Sequence, residues 1–266
     1  MSQNVLVVHG GGPTAVINAS LYGVIEEAKR NPEVGKVYGA IGGTGAIFSE
    51  TFIDLTSFDD EKLKLLLHTP ASAIGSSRYP LYEKDYEKMV DIFKKHDIKY
   101  VLLNGGNGTM DACGHIYEVC KDQDIKVVGI PKTIDNDIAM TDHSPGYGSA
   151  ARFIAASTQE VGEDVKSLPI HVCIMEAMGR NAGWITAASA LARRKQGDAP
   201  HLIYLPERNF NEDEFLEDVS RLQKKQGGVV VLVSEGLHDA NGESIVPPIF
   251  KSERAVYYGD VSSHLA

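Results

Sequence analysis

Tyr100-Val101-Leu102-Leu103-Asn104-Gly105-Gly106-Asn107-Gly108-Thr109-Met110 decides the fold: an apolar run, a turn holding three glycines, then helical periodicity over residues 110–119. An apolar segment of strand length that breaks at glycine and restarts with a helical period is the pattern of a βα unit. Upstream, residues 4–8 read as a buried strand, Gly10-Gly11-Gly12-Pro13 as a turn and 15–29 as a helix. Downstream, strands are predicted over 126–130, 170–175, 202–205 and 229–234, with helices over 149–165, 178–192 and 212–225. Strands alternating with helices of this length predict an α/β fold with largely parallel sheets.

The 266 residues suffice for two lobes. Ser144-Pro145-Gly146 breaks the chain, so the expected lobes are 1–138 and 139–250, followed by a segment 251–266. Residues 261–266 read as the first turns of a helix, which leads to the expectation that a C-terminal part is missing.

A formal charge of −10 opposes a nucleic-acid-binding role, which needs a basic face, but permits local anion sites. Three cysteines without CxxC spacing fit a reducing compartment better than a disulfide framework. Signal-peptide features and an apolar run of membrane-spanning length are missing from the sequence, so a cytoplasmic protein without membrane association is expected.

In open α/β sheets ligands gather beyond the carboxyl ends of the strands. Turns that feed helices there present unpaired N–H groups and the positive end of the helix dipole. Gly11, Gly12, Gly105, Gly106 and Gly108 therefore mark a candidate anion site, with Asn107 and Thr109 beside it; tight βα turns alone would use the same glycines. At the end of the 126–130 strand stands Pro131-Lys132-Thr133-Ile134-Asp135-Asn136-Asp137, with two carboxylates, a hydroxyl and an ammonium in one loop. Phosphoryl transfer to an alcohol needs a base near the acceptor hydroxyl and cations near the phosphoryl group, and this loop carries both. An Asx turn with solvated carboxylates would read the same way. His68, His96 and His115 share no ligand spacing, and Phe153 and Trp184 read as packing residues.

Residues 131–137, with Gly105-Gly106-Asn107-Gly108-Thr109, Met178-Gly179-Arg180 and Ser234-Glu235-Gly236 in this order, resemble the phosphofructokinases. The resemblance runs from Val5 to about Glu235 and implies a fold of two Rossmann-like lobes. It implies phosphoryl transfer to the 1-hydroxyl of fructose 6-phosphate with Mg²⁺. It makes Asp135 the general base, with Lys132 and Arg180 in the catalytic group. Thr133, Asp135, Asp137, Met178, Gly179, Arg180 and Glu235 become substrate-binding residues. Gly11, Gly12, Arg78, Gly106, Gly108, Thr109 and Lys132 become donor-binding residues, and Asn107 and Asp137 metal ligands. In this family a lysine at the position of Lys132 accompanies use of pyrophosphate, which is the donor expected here. Gly108 matches the small residue of ATP users, so ATP is the alternative. An Asp usually stands where this chain has Asn107, whose amide brings no charge to a metal. A homo-oligomer, dimer or tetramer, is expected. An impaired or regulatory subunit is a further alternative, as is an NAD or lipid kinase, whose glycine turn resembles Gly105–Thr109.

Overall fold

The computed structural model describes residues 3–251 and 256–266. Residues 1–2 of the expected first lobe and 252–255 of the expected segment 251–266 lie outside the described residues. The chain divides into two compact units: 1–133 with 138–140 and 144–146, and 134–137 with 141–143 and 147–266.

The first unit runs β1 (Gln3–His9), α1 (Ala15–Arg30), β2 (Val34–Ala40), α2 (Gly45–Phe48), β3 (Phe52–Asp54), α3 (Asp60–Lys64), α4 (Glu83–Lys95), β4 (Ile98–Gly105), α5 (Asn107–Cys120) and β5 (Lys126–Pro131). Its strands form one sheet in the order β3-β2-β1-β4-β5. The β2–β1, β1–β4 and β4–β5 pairings are parallel and β2–β3 is antiparallel, so the sheet is mixed. β1 alternates across it: Leu6 and Val8 pack with Met89, Phe93 and Ile116 of α4 and α5, while Val5 and Val7 pack with Leu21 and Ile25 of α1. Helices on both faces explain why β1 is apolar at successive positions rather than at every second one. α4 begins where the Asp85 carboxylate accepts the Tyr82 N–H at 3.0 Å.

The second unit runs α6 (Tyr147–Ser167), β6 (Val172–Ala177), α7 (Trp184–Ala188), β7 (Leu202–Tyr204), α8 (Glu212–Gln226), β8 (Val229–Ser234), β9 (Pro248–Lys251), β10 (Val256–Tyr258) and α9 (Val261–Leu265). β6, β8 and β7 form a parallel sheet with β8 in the middle, and β9 and β10 form an antiparallel pair. Every residue of β8 is buried. Val230 and Leu232 pack toward Ile154 and Ile185, and Val231 and Val233 toward Phe210 and Phe215. α8 starts where the Asn211 side chain accepts the Glu214 N–H, carries three acids in its first turn, and ends at Gly227 with φ +85°.

Three features differ from the sequence expectation. The helix expected over 178–192 begins only at Trp184, because Gly179 takes φ +116° and turns residues 178–183 into a loop. Phe153 and Trp184, read as packing residues, are 72% and 52% exposed. The sheet gains β2 and β3 from a stretch in which no strand was read.

Candidate active site

Strand register fixes the first group of residues. His9 pairs with Asn104 and Gly105 with Pro131, so β1, β4 and β5 end side by side. The turns that follow, at Gly10–Gly12 and Gly106, feed α1 and α5. Lys132 is the first residue past β5. Its N–H donates to the Gly105 carbonyl at 2.9 Å, and its Nζ donates to the Gly12 carbonyl. At 4% exposure its ammonium is buried at the mouth of the two glycine turns. The Gly12 bond is therefore charge-assisted and shielded from water.

Thr109 lies beneath these turns rather than at their rim. A Cβ on Gly105 would meet Thr109 Cγ2 at 2.7 Å, and one on Gly10 would meet it at 3.1 Å, so the glycines make room for this buried side chain. Gly12, Asn107 and Gly108 are exposed, and a Cβ on Gly108 would meet nothing within 4 Å. Gly11 takes φ +74°, its N–H donates to the Ser77 carbonyl, and its carbonyl accepts the Ser76 hydroxyl at 2.6 Å. Arg78, next in sequence, is exposed. The first N–H groups of α1 and α5, which have no intrahelical partner, join the Lys132 ammonium at one sheet edge. That combination can hold a multiply charged anion.

The sequence reading did not include His9 in this group. It is fully buried at the end of β1 with Nδ1 2.8 Å from Ser72 Oγ, and burial together with the Lys132 charge pushes its pKa down to about 4. A histidine before a glycine turn is a visible signal, but its partner Ser72 comes from a stretch without a motif.

The second group lies in the other unit. β6 and β8 pair Ala177 with Ser234, which brings Met178-Gly179-Arg180 beside Ser234-Glu235-Gly236. Ser234 Oγ donates to the Gly179 carbonyl at 2.8 Å and accepts the Gly236 N–H at 3.0 Å, while Glu235 Oε1 accepts the Gly179 N–H at 3.2 Å. A recess of about 380 Å³ is lined by Arg180, Glu235, Gly236 and His238 among others. A second, of about 500 Å³, shares Arg180 and Glu235 with it and is also lined by Glu176 and Asp260. Both volumes fall within the roughly 300–1,000 Å³ of small-molecule sites. Burial pushes the Glu176 carboxyl up, and hydrogen bonds from Ser262 and Ser263 hold Asp260 well below the usual carboxylate range. Met178 is exposed. Asn136 is buried at φ +58° with its amide 3.3 Å from the Asp142 carbonyl, which leaves Asp135 half-buried and Asp137 exposed on either side. Thr133 is buried in the first unit, where its N–H donates to the Pro145 carbonyl.

Among the described residues, no group of three or more His, Cys, Asp or Glu side chains gathers as a metal site. No helix among them is long and apolar enough to cross a membrane.

The edge of the first unit's sheet thus carries a buried ammonium beside two glycine turns that feed helices, and the edge of the second unit's sheet carries an arginine beside a carboxylate. The phosphofructokinase family profile matches residues 4–262, and the chain belongs to that family. It is 42% identical to the pyrophosphate–fructose 6-phosphate 1-phosphotransferase of Rhodospirillum rubrum over 97% of this chain and 64% of the relative. The solved structure of the pyrophosphate-dependent phosphofructokinase from Nitrosospira multiformis superposes with a TM-score of 0.85 at 38% identity, over 91% of this chain and 63% of that one. The Marinobacter aquaeolei enzyme of the same description gives 0.83 at 40% identity, over 89% and 61%. The chain thus spans somewhat less than two thirds of the length of these relatives.

Proposed function

We propose that this chain transfers a phosphoryl group from pyrophosphate to the 1-hydroxyl of fructose 6-phosphate, giving fructose 1,6-bisphosphate and phosphate. The observation that carries this reading is the buried Lys132 ammonium, held at the Gly12 carbonyl between two glycine turns. A donor that is all phosphate presents charge to such a site and needs no nucleoside pocket. The names of the most similar relatives support the same donor.

In this reading there are two Rossmann-like lobes, 1–138 taking the donor and 139–250 the sugar, although residues 134–137 pack with the second compact unit and 144–146 with the first. Gly11, Gly12, Gly106, Gly108, Thr109 and Arg78 surround the donor, and Lys132 neutralises the leaving phosphate. Asp135 takes the proton of the 1-hydroxyl as its oxygen bonds to phosphorus and the bridging P–O bond breaks. Arg180 balances charge on the transferring phosphoryl group. Glu235, Met178, Gly179, Thr133 and Asp137 orient the sugar. Asn107 and Asp137 would hold Mg²⁺, and their small number fits an ion that keeps several waters and takes most remaining ligands from substrate phosphates. When bound, the ion supplies further neutralisation of phosphate oxygens. The family resemblance supports a cytoplasmic homo-oligomer.

ATP remains the second reading, favoured by the open space beside Gly108. The deciding experiment compares the two donors on fructose 6-phosphate with Mg²⁺. Turnover with pyrophosphate and little with ATP is expected, and the reverse would overturn the donor assignment.

A further inference from the structure

Asn18 is fully buried in the first turn of α1, where an asparagine gives up helix propensity and its polar atoms need partners. Its partners lie in one short stretch of loop, 51, 53 and 55 positions away. Nδ2 donates to the Thr69 carbonyl at 2.8 Å and to the Ala71 carbonyl at 3.2 Å, and Oδ1 accepts the Ala73 N–H at 2.8 Å. Two carbonyls at one end and an N–H at the other fix the orientation of the amide. Between these contacts Ala71 takes φ +57°, a left-handed conformation that an alanine keeps only when its surroundings impose it. The loop then runs to the glycine turn that follows β1. Gly75 N–H donates to the Ser72 carbonyl at 3.1 Å, and Ser72 Oγ donates to the Gly75 carbonyl at 2.7 Å. The Ser76 hydroxyl and the Ser77 carbonyl both bond Gly11, and Arg78 follows. α1 is itself tied to β4, because Asn104 Nδ2 donates to the Ile17 carbonyl at 3.0 Å.

We propose that Asn18 is a positioning residue for the phosphoryl donor: by holding residues 69–73 against the first turn of α1, it fixes Arg78 relative to the N-terminus of that helix. The guanidinium and the helix N–H groups then act on one polyphosphate anion together. A leucine of similar size would fill the same space but leave two carbonyls and an N–H of the loop without their partner. Asparagine at this place therefore sets the path of the loop as well as filling the core. The inference deepens the phosphoryl-donor reading above and rests on it for the role of Arg78.

Amide hydrogen exchange tests the structural half without substrate. Gly42 N–H donates to the Ile74 carbonyl at 2.8 Å and Gly11 N–H to the Ser77 carbonyl at 3.1 Å, so both report on the loop. In Asn18→Ala their exchange should quicken by about tenfold or more, with Val101 in β4 unchanged. Unaltered exchange at both glycines overturns the proposal. A double-mutant cycle with Arg78→Met tests the functional half. Asn18→Ala should raise KM for pyrophosphate by about tenfold in the wild-type background and by less than about twofold in Arg78→Met, with KM for fructose 6-phosphate within about twofold throughout. An equal rise in both backgrounds shows that Asn18 does not act through Arg78 and overturns the proposal. Ala71→Pro covers the case in which Asn18→Ala does not fold. The proline ring cannot adopt φ +57°, and the position is exposed, so the loop should leave Asn18 while the core stays intact. The same exchange pattern and the same dependence on Arg78 are expected, and wild-type behaviour counts against the idea. Wild-type turnover with ATP alone would remove the pyrophosphate reading, and the same cycle read on KM for ATP would then decide the role of Asn18.

Discussion

Gly236 lies directly against the Arg180 backbone. A Cβ at Gly236 would overlap the Arg180 carbonyl oxygen and stand 2.6 Å from its carbonyl carbon. The close approach lets Ser234 bridge the Gly179 carbonyl and the Gly236 N–H. Gly236→Ala should therefore push the 178–180 and 234–236 turns apart and destabilise the protein by about 1–3 kcal/mol, the usual cost of overpacking. KM for fructose 6-phosphate should rise with it. Gly114→Ala, at an open position inside α5, serves as the control and should stabilise by about 0.5–1 kcal/mol. Urea denaturation of both variants checks the opposite signs.

Asp135, half-buried beside the left-handed Asn136, is the proposed base. Asp135→Ser should lower kcat by about 10²–10⁴ and leave sugar binding nearly unchanged. Retained turnover would place the base elsewhere.

Lys132→Met keeps the apolar stem of a buried side chain and deletes its charge. With pyrophosphate, turnover should fall by about 10²–10³, the worth of a pre-placed charge contact in the transition state. The single substitution should be assayed with both donors, because unchanged pyrophosphate turnover would remove Lys132 from the mechanism.

The position of Asn107 was legible at once, since it stands in a glycine turn before a helix. The structure places it on the exposed first turn of α5. If it holds Mg²⁺, Asn107→Asp adds a full negative charge to the ligand set and should lower the Mg²⁺ concentration for half-maximal activity severalfold. A Mg²⁺ titration at saturating donor and sugar reads this directly, and an unchanged midpoint would exclude Asn107 as a ligand.

Folded His9 has a pKa of about 4 against an ordinary 6.5. The unfolded chain therefore binds a proton below about pH 6.5 that the folded chain does not take up until about pH 4. Stability from this residue is fully present above pH 6.5 and declines as pH falls toward 4, by about 3 kcal/mol in total. Urea midpoints at pH 7.5, 6 and 5 should fall more steeply for wild type than for His9→Gln. Parallel slopes would show that His9 titrates alike in both states.

Sequence patterns located what depends on neighbours along the chain. β8 is legible because Val229-Val230-Val231-Leu232-Val233 is buried on both faces, and the α8 ends because Asn211 and Gly227 cap them locally. Long-range partners were not visible. The acceptor of the Lys132 ammonium, Gly12, is 120 positions away, and Ser72 meets His9 across 63. The late start of α7 had a local cause that periodicity hides, since Gly179 can be read as a helix residue until its φ of +116° is known. β2 and β3 escaped because Val34–Ala40 mixes two glycines and a lysine into its apolar positions, and Phe52–Asp54 is only three residues long.

The register of β1, β4 and β5 also bears on how the protein comes apart. Their ends meet only after segments far apart in sequence have paired, the kind of contact that forms slowly and carries a large loop-closure cost. An anion seated on Lys132 and the two glycine turns would grip three strand ends at once and have no counterpart in the unfolded chain. Such a ligand acts as a latch on the parallel sheet: it should slow global opening, so that proteolysis of the first unit becomes a gauge of donor occupancy.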